Sequence, residues 1–276
     1  MGWHGHLDLH YRRDGERTTA LDRHEGPLRV LQRLYPEGPR ICHHVLVHPP
    51  GGIVGGDTLQ LDARLDAGSH ALITTPGATR FYRSAGEPAL QGAHVQVAAD
   101  ARLEWLPLEA IAYSGCDAEN RLRFELAPGA EMMGWDVLAL GLPAANQAFV
   151  QGRFRQHLEL PGVWLERGQI AAADSLLLDS PLGLAGHRVL GTLWFAAGSA
   201  LAPARRDALL DSAREAAAAS PLSRLAGATA PHPPLVVLRV LADRVEPLMQ
   251  LLVAVWTRWR AQAWALPAEA PRIWRT

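Results

Sequence analysis

Four segments of this chain repeat one local pattern, and that repetition limits the folds open to it more than any other feature. In RLDAGSHALI, QVAADARLEW, ELAPGAEMMGW and ELPGVWLER an apolar residue, a short Gly/Asp/Pro turn and a second β-like run follow in the same order. The turn residues Gly68, Asp100, Gly129 and Gly162 are spaced by 32, 29 and 33 residues. A period of about 30 residues with one hairpin per unit predicts stacked, quasi-repeating β-layers rather than a doubly wound α/β sheet. Four loose hairpins in an ordinary sandwich are the alternative. Leu59, Leu61, Ala63 and Leu65 alternate with polar residues, as do Leu122, Phe124 and Leu126, which is the period of a half-buried strand.

Helical character comes late. Pro203 to Ser220 is rich in strong helix formers and stops at Pro221. A second helix starting near Pro247 places Leu248, Leu251, Leu252, Val255 and Trp259 on one face. Between them Gly227 to Pro234 reads as a loop, followed by a strand over Leu235 to Ala242. No linker divides the chain, so the prediction is one domain over residues 1–276. It is mainly β, a layered, quasi-repeating β-hairpin architecture with two helices in the C-terminal third. A domain of this length buries roughly three quarters of its unfolded surface, so a sizeable core is available.

A formal charge of −1 and a pI near 6.9 give no electrostatic reason for nucleic acid or an anionic membrane as a partner. All 27 basic residues are arginine, which excludes a Schiff-base lysine and a phosphate-loop lysine. Cys42 and Cys116 are too few for a disulfide framework, and MGWHGHLDLHYRRDGE lacks the apolar core of a signal peptide. No apolar run reaches the roughly 18 residues of a membrane span. The expectation is a reduced, cytoplasmic protein. Nine tryptophans fit either core filling or partner anchoring.

Chemistry concentrates in few places. HPPGGIVGGDTL, from His48 to Leu59, sets Pro49 and Pro50 before Gly51, Gly52, Gly55 and Gly56 and ends at Asp57. The prolines force an extended entry and the glycines permit positive φ or close backbone approach. The segment therefore reads as a rigid loop holding a carboxylate, with an acid that satisfies turn amides as the plainer alternative. Cys42, His43, His44 and His48 form the densest set of soft and borderline ligands, suited to nickel, copper or zinc. On a strand they point to both faces, so satisfied strand histidines compete with this reading. Glu104 and Glu109 flank Trp105 and Pro107, and Asp136 and Glu166 lie near Trp135 and Trp164. Such acids are either solvated or buried with a partner. No nucleophile elbow or phosphate loop occurs. A metalloenzyme reading would rest on His43, His44, His48 and Asp57 and require a tight metal site.

Taken in order, HPPGGIVGGDTL, TTPGATRFYRSAG (Thr74 to Gly86), LEWLPLEAI (Leu103 to Ile111) and PRIWRT (Pro271 to Thr276) resemble the UreD (UreH) urease accessory protein family across nearly the whole chain. The resemblance implies a β-rich, non-enzymatic scaffold that acts with UreF and the GTPase UreG on the urease apoprotein. It further implies an internal water-filled passage for nickel in transit, with no tightly bound cofactor. By motif, the family's acids fall on Asp57, Asp136 and Glu166, with Cys42 and His43 behind them as further passage candidates. This chain departs from the family pattern at Leu108, at Leu142 and at Asn146-Gln147, where charged or amide residues are usual; the partner contacts are the feature those changes touch.

Overall fold

All four repeated turn residues adopt left-handed backbone: φ is 70° at Gly68, 59° at Asp100, 84° at Gly129 and 72° at Gly162. Glycine reaches that region without steric cost and aspartate tolerates it. These angles come from a computed structural model that describes residues 2–142 and 145–275.

The strands in chain order begin with β1 (His4–Asp14), β2 (Arg17–Glu25), β3 (Arg29–Val30), β4 (Cys42–Val47), β5 (Thr58–Leu65) and β6 (His70–Thr74). Next come β7 (Thr79–Phe81), β8 (Ala89–Val97), β9 (Arg102–Leu106), β10 (Ala110–Ala112), β11 (Cys116–Leu126) and β12 (Glu131–Leu142). The last are β13 (Gln147–Ala148), β14 (Gly152–Leu160), β15 (Trp164–Ala171), β16 (Val189–Ala197), β17 (Ala226–His232) and β18 (Leu235–Ala242). The helices are α1 (Ser175–Asp179), α2 (Pro203–Ala218) and α3 (Val245–Trp264), and a 3₁₀ turn covers Arg272–Arg275.

Two sheets form. The first has seven strands in the order β15-β14-β11-β8-β5-β1-β2, and the second runs β17-β18-β16-β12-β9-β6-β4-β3, with β7, β10 and β13 attached. The turns at Gly68, Asp100 and Gly129 carry the chain from the first sheet to the second, and β5, β8, β11 and β14 pair in parallel. So do β4, β6, β9 and β12. Backbone bonding continues through the corners. The Ala98 and Ala127 amides donate to Leu65 and Val97, both at 2.9 Å, and the Arg102 and Glu131 amides to Ser69 and Ala101, at 2.9 and 3.1 Å. Each unit is thus one coil of a stacked, solenoid-like arrangement. Gly162 differs by closing an antiparallel hairpin, β14 to β15, within the first sheet.

One apolar layer fills the space between the sheets, with Leu7, Leu61, Val95, Phe124 and Trp194 among its members. A second lies between the far face of the second sheet and helices α2 and α3, built on Trp135, Leu193, Phe195, Leu209, Trp256 and Trp259. The predicted face of α3, Leu248, Leu251, Leu252, Val255 and Trp259, is buried there. The segment predicted as a loop from Gly227 to Pro234 instead forms most of β17. It is the edge of the second sheet, where proline is tolerated because one side of the strand makes no ladder bonds.

Trp105, Trp135, Trp194, Trp256, Trp259 and Trp264 are buried, so core filling accounts for most of the tryptophan content. Trp274 of the C-terminal segment packs 5.3 Å from the Trp135 ring and 5.8 Å from that of Trp256. Its Nε1 donates to Thr74 Oγ1 at 2.7 Å, Thr74 donates to the Leu106 carbonyl at 2.6 Å, and Trp135 Nε1 donates to the Pro107 carbonyl at 2.6 Å. The segments from Thr74, from Leu103 and from Pro271 therefore meet at one place.

Candidate functional site

Alternation along a strand sends every second side chain into the space between the sheets. On the first sheet the register aligns Leu59, Gln91, Asn120, Gln156 and Gly168 in one row on that inner face. On the second sheet Asp136, Thr192 and Arg239 are register neighbours on β12, β16 and β18. A polar seam thus crosses an otherwise apolar layer. Asn120 Nδ2 donates to Asp136 Oδ1 at 2.9 Å, and at the sheet edge Arg239 Nη2 donates to Glu166 Oε2 at 2.5 Å.

Asn120 Oδ1, both amide atoms of Gln156, and the indole nitrogens of Trp105 and Trp194 are buried without a hydrogen-bond partner. Such atoms are costly unless something polar reaches them. Asp136 has no cationic partner among the described residues. Burial, and then the negative charge of Glu166, push its carboxyl up to about 7, against the opposing pull of Gln156 and Asn120. Burial dominates that shift, yet Asp136 keeps intermediate accessibility. Asp136 is thus enclosed by protein and still keeps some accessible surface.

Near the other end of the amide row lies a cavity of about 230 Å³ lined by Gln91, Trp105, Pro107, His48, Gly51 and Gly52, among others. The glycine loop borders this cavity, and its glycines serve different needs. Gly51 and Gly56 have φ of 78° and 91°. A Cβ on Gly52 would overlap the Tyr82 ring, and one on Gly55 would meet Ser84 and Glu87. Pro49 and Pro50 are exposed at its entry. Asp57 is buried, and its two oxygens accept from the amides of Trp3 at 2.7 Å and Val54 at 2.9 Å. It fastens the loop to the N-terminal segment, the plainer of the two readings of this acid.

Of the predicted site residues, the fold brings Asp136 and Glu166 together and separates the others. Cys42 faces the inter-sheet layer, and burial pushes its thiol up. His43 points to the opposite face, where Nε2 lies 2.8 Å from Glu37 Oε1. His44 accompanies Cys42 and bonds Tyr11 through Nδ1 at 2.7 Å; burial lowers its pKa to about 4. His48 lines the cavity and is also held low by burial. Among the described residues, Cys42, His43, His44, His48 and Asp57 form no cluster of three ligands. Glu104 is fully buried between His70 Nε2 at 2.9 Å, Trp256 Nε1 at 2.7 Å and Arg260 Nη2 at 3.2 Å. It holds α3 to the second sheet.

Asn120, Gln156, Thr192 and Arg239 were not among the sequence candidates. Their signal is a polar residue on the inward phase of a strand, as in Ala118, Asn120, Leu122 or Val237, Arg239, Leu241. No helix among the described residues is long and apolar enough to cross a membrane.

The family model for the UreD urease accessory protein matches residues 4–275. The chain belongs to the UreD family. It is 66% identical to the urease accessory protein UreD of Leptothrix cholodnii and 63% to that of Variovorax paradoxus, each over the full length of both chains. Identity to the UreD of Paracidovorax citrulli is 61%, over 99% of each chain. Membership of the UreD family gives the chain a role in urease maturation, as an accessory protein rather than as the urease itself.

Proposed function

We propose that this protein is a non-catalytic cytoplasmic scaffold that binds the urease apoprotein together with UreF and UreG, and that nickel in transit to urease moves along the inter-sheet seam. The observation that supports a passage is Asp136, an enclosed but water-accessible carboxylate with no cationic partner among the described residues, beside the unpaired oxygen Asn120 Oδ1. One carboxylate and amide oxygens bind nickel weakly compared with imidazole or thiolate. Weak, multiple sites suit conduction, because an ion held tightly does not leave. Glu166, tied to Arg239 and 35% exposed, stands at the sheet edge as the second acid of the path.

The test compares the metal content and activity of urease matured with Asp136→Ala, Glu166→Ala or the double variant against the yield of the accessory complex in a pull-down. Reduced nickel with an intact complex is expected. Full nickel content with the double variant refutes the passage, and loss of the complex reassigns these acids to structure.

A further inference from the structure

The geometry points to a separate divalent transition-metal site on the outer face of the first sheet, formed by His6, Asp8 and Asp62 with His94 in reach. Parallel pairing of β1 with β5 sets Asp8 directly opposite Asp62, and His6 lies two residues before Asp8 on the same face. One ligand atom from each of His6, Asp8 and Asp62 falls within 4.8 Å of the others. His6 Nε2 is 2.7 Å from Asp62 Oδ2, and its Nδ1 is 3.7 Å from Asp8 Oδ2. On the next strand His94 is opposite Asp62, with Nδ1 3.7 Å from Asp62 Oδ1.

Charge pairing on this face gives an independent reason. Several acids elsewhere on it are matched by arginines: Asp66 by Arg64 and Arg12, Glu119 by Arg121, Asp117 by Arg153 and Arg155, and Glu159 by Arg123. Asp8 and Asp62 differ. Among the described residues their ion-pair partners within 4 Å are histidines alone, although Arg23 lies opposite Asp8 on β2, and two carboxylates directly opposite each other on a sheet face repel. One imidazole with two carboxylates, and a second imidazole at His94 beyond them that lies 3.2 Å from Glu125, make a ligand set for zinc, nickel or copper rather than for magnesium or calcium. A dication there would offset the repulsion that unprotonated histidines leave standing. Side-chain exposures of 42% at His6, 56% at Asp8 and 39% at Asp62 leave room for water to complete the coordination. The site shares no residue with the inter-sheet seam, since Asp62 and Leu61 project to opposite faces of β5.

Calorimetric titration of the full-length chain with zinc chloride, nickel chloride and magnesium chloride tests it, using the wild type, His6→Gln, Asp62→Asn and, as a seam control, Asp136→Asn. The expected result is one equivalent of zinc or nickel bound by the wild type and by Asp136→Asn, lost in His6→Gln and Asp62→Asn, with no heat from magnesium. Bound copper(II) should carry imidazole nitrogen hyperfine structure in its electron paramagnetic resonance spectrum, absent from His6→Gln. The substituted side chains are solvent-facing, and unchanged melting of the metal-free variants confirms their fold; Asp8→Asn serves as a replacement for either that melts early. Zinc and nickel binding unaltered by these substitutions, no binding by the wild type, or loss of this equivalent in Asp136→Asn overturns the assignment.

Discussion

Arg260→Ala should be among the most damaging single changes in this protein. The Arg260 side chain on α3 is fully buried, with Nη1 2.7 Å from Glu37 Oε2 and 2.5 Å from the Pro267 carbonyl, and Nη2 3.2 Å from Glu104 Oε1. Removing it strands two buried carboxylates whose remaining partners are His43, His70 and Trp256. Breaking a buried ion pair by removing one member costs about 3–5 kcal/mol. In a chain of this size that lowers the melting temperature by roughly 10 °C. The loss should also depend on pH. Burial works to raise the Glu37 and Glu104 carboxyls, but hydrogen bonds from the histidines and the Arg260 charge hold both below their usual range. In the wild type these acids therefore add stability above their unfolded pKa, and it is lost as pH falls through the folded value. Without Arg260 burial prevails, their folded pKa rises, and the variant loses stability as pH climbs instead. The gap between wild type and variant should thus narrow from pH 8 to pH 5 in thermal melts of the full chain. A variant melting within about 2 °C of wild type at pH 8 would refute the reasoning, since even one kcal/mol moves the midpoint that far.

Asp136→Asn should stabilise the fold at pH 8 and lose that advantage toward pH 5, because a carboxyl raised to about 7 favours the folded state only while protonated; an advantage independent of pH would contradict this. Gly52→Val, which drives a side chain into Tyr82, and Gly56→Val, which strains a backbone at φ 91°, should each cost on the order of 1–3 kcal/mol, read from denaturant midpoints. Trp274→Ala removes the contacts with Trp135 and Trp256 and the bond to Thr74; a loss of about 2 kcal/mol is expected, with faster proteolysis of the C-terminal segment. Leu176 and Leu182 are 76% and 99% exposed, so a bound accessory partner should raise the melting temperature, by the equivalent of about 2.7 kcal/mol at a hundredfold excess over Kd; equal melting with and without it would count against the scaffold role.

The turn chemistry at Gly68, Asp100 and Gly129 was legible because positive φ demands particular residues. Which sheet each following strand would join was not. Parallel pairing links residues about 30 positions apart, and nothing local to a turn encodes it. The β17 edge was misread for a related reason: Gly227 and Pro231 are loop signals everywhere except on an edge, whereas Pro233 and Pro234 do form the turn into β18. At the seam, Asp136 and Glu166 stood out as acids near tryptophans, whereas Asn120 and Gln156 are single polar residues inside ordinary alternation. Their meaning appears only when the register puts them side by side. Arg260 was hidden in the same way, since WTRWRAQ reads as a helix with a polar face until Glu37 and Glu104 arrive from distant parts of the chain.

The seam is tested most directly by removing its polar lining without touching its charges. Gln156→Leu replaces an amide whose two polar atoms have no hydrogen-bond partner by an apolar side chain of similar size, a change that a packed core tolerates, and leaves the Asn120 Nδ2 to Asp136 bond in place. Nickel per urease active site, measured after maturation with this variant and with wild type in parallel, should fall while the variant melts no lower and the accessory complex forms in full. Urease loaded to the wild-type level by a stable, complex-forming Gln156→Leu variant would contradict a nickel path between the sheets.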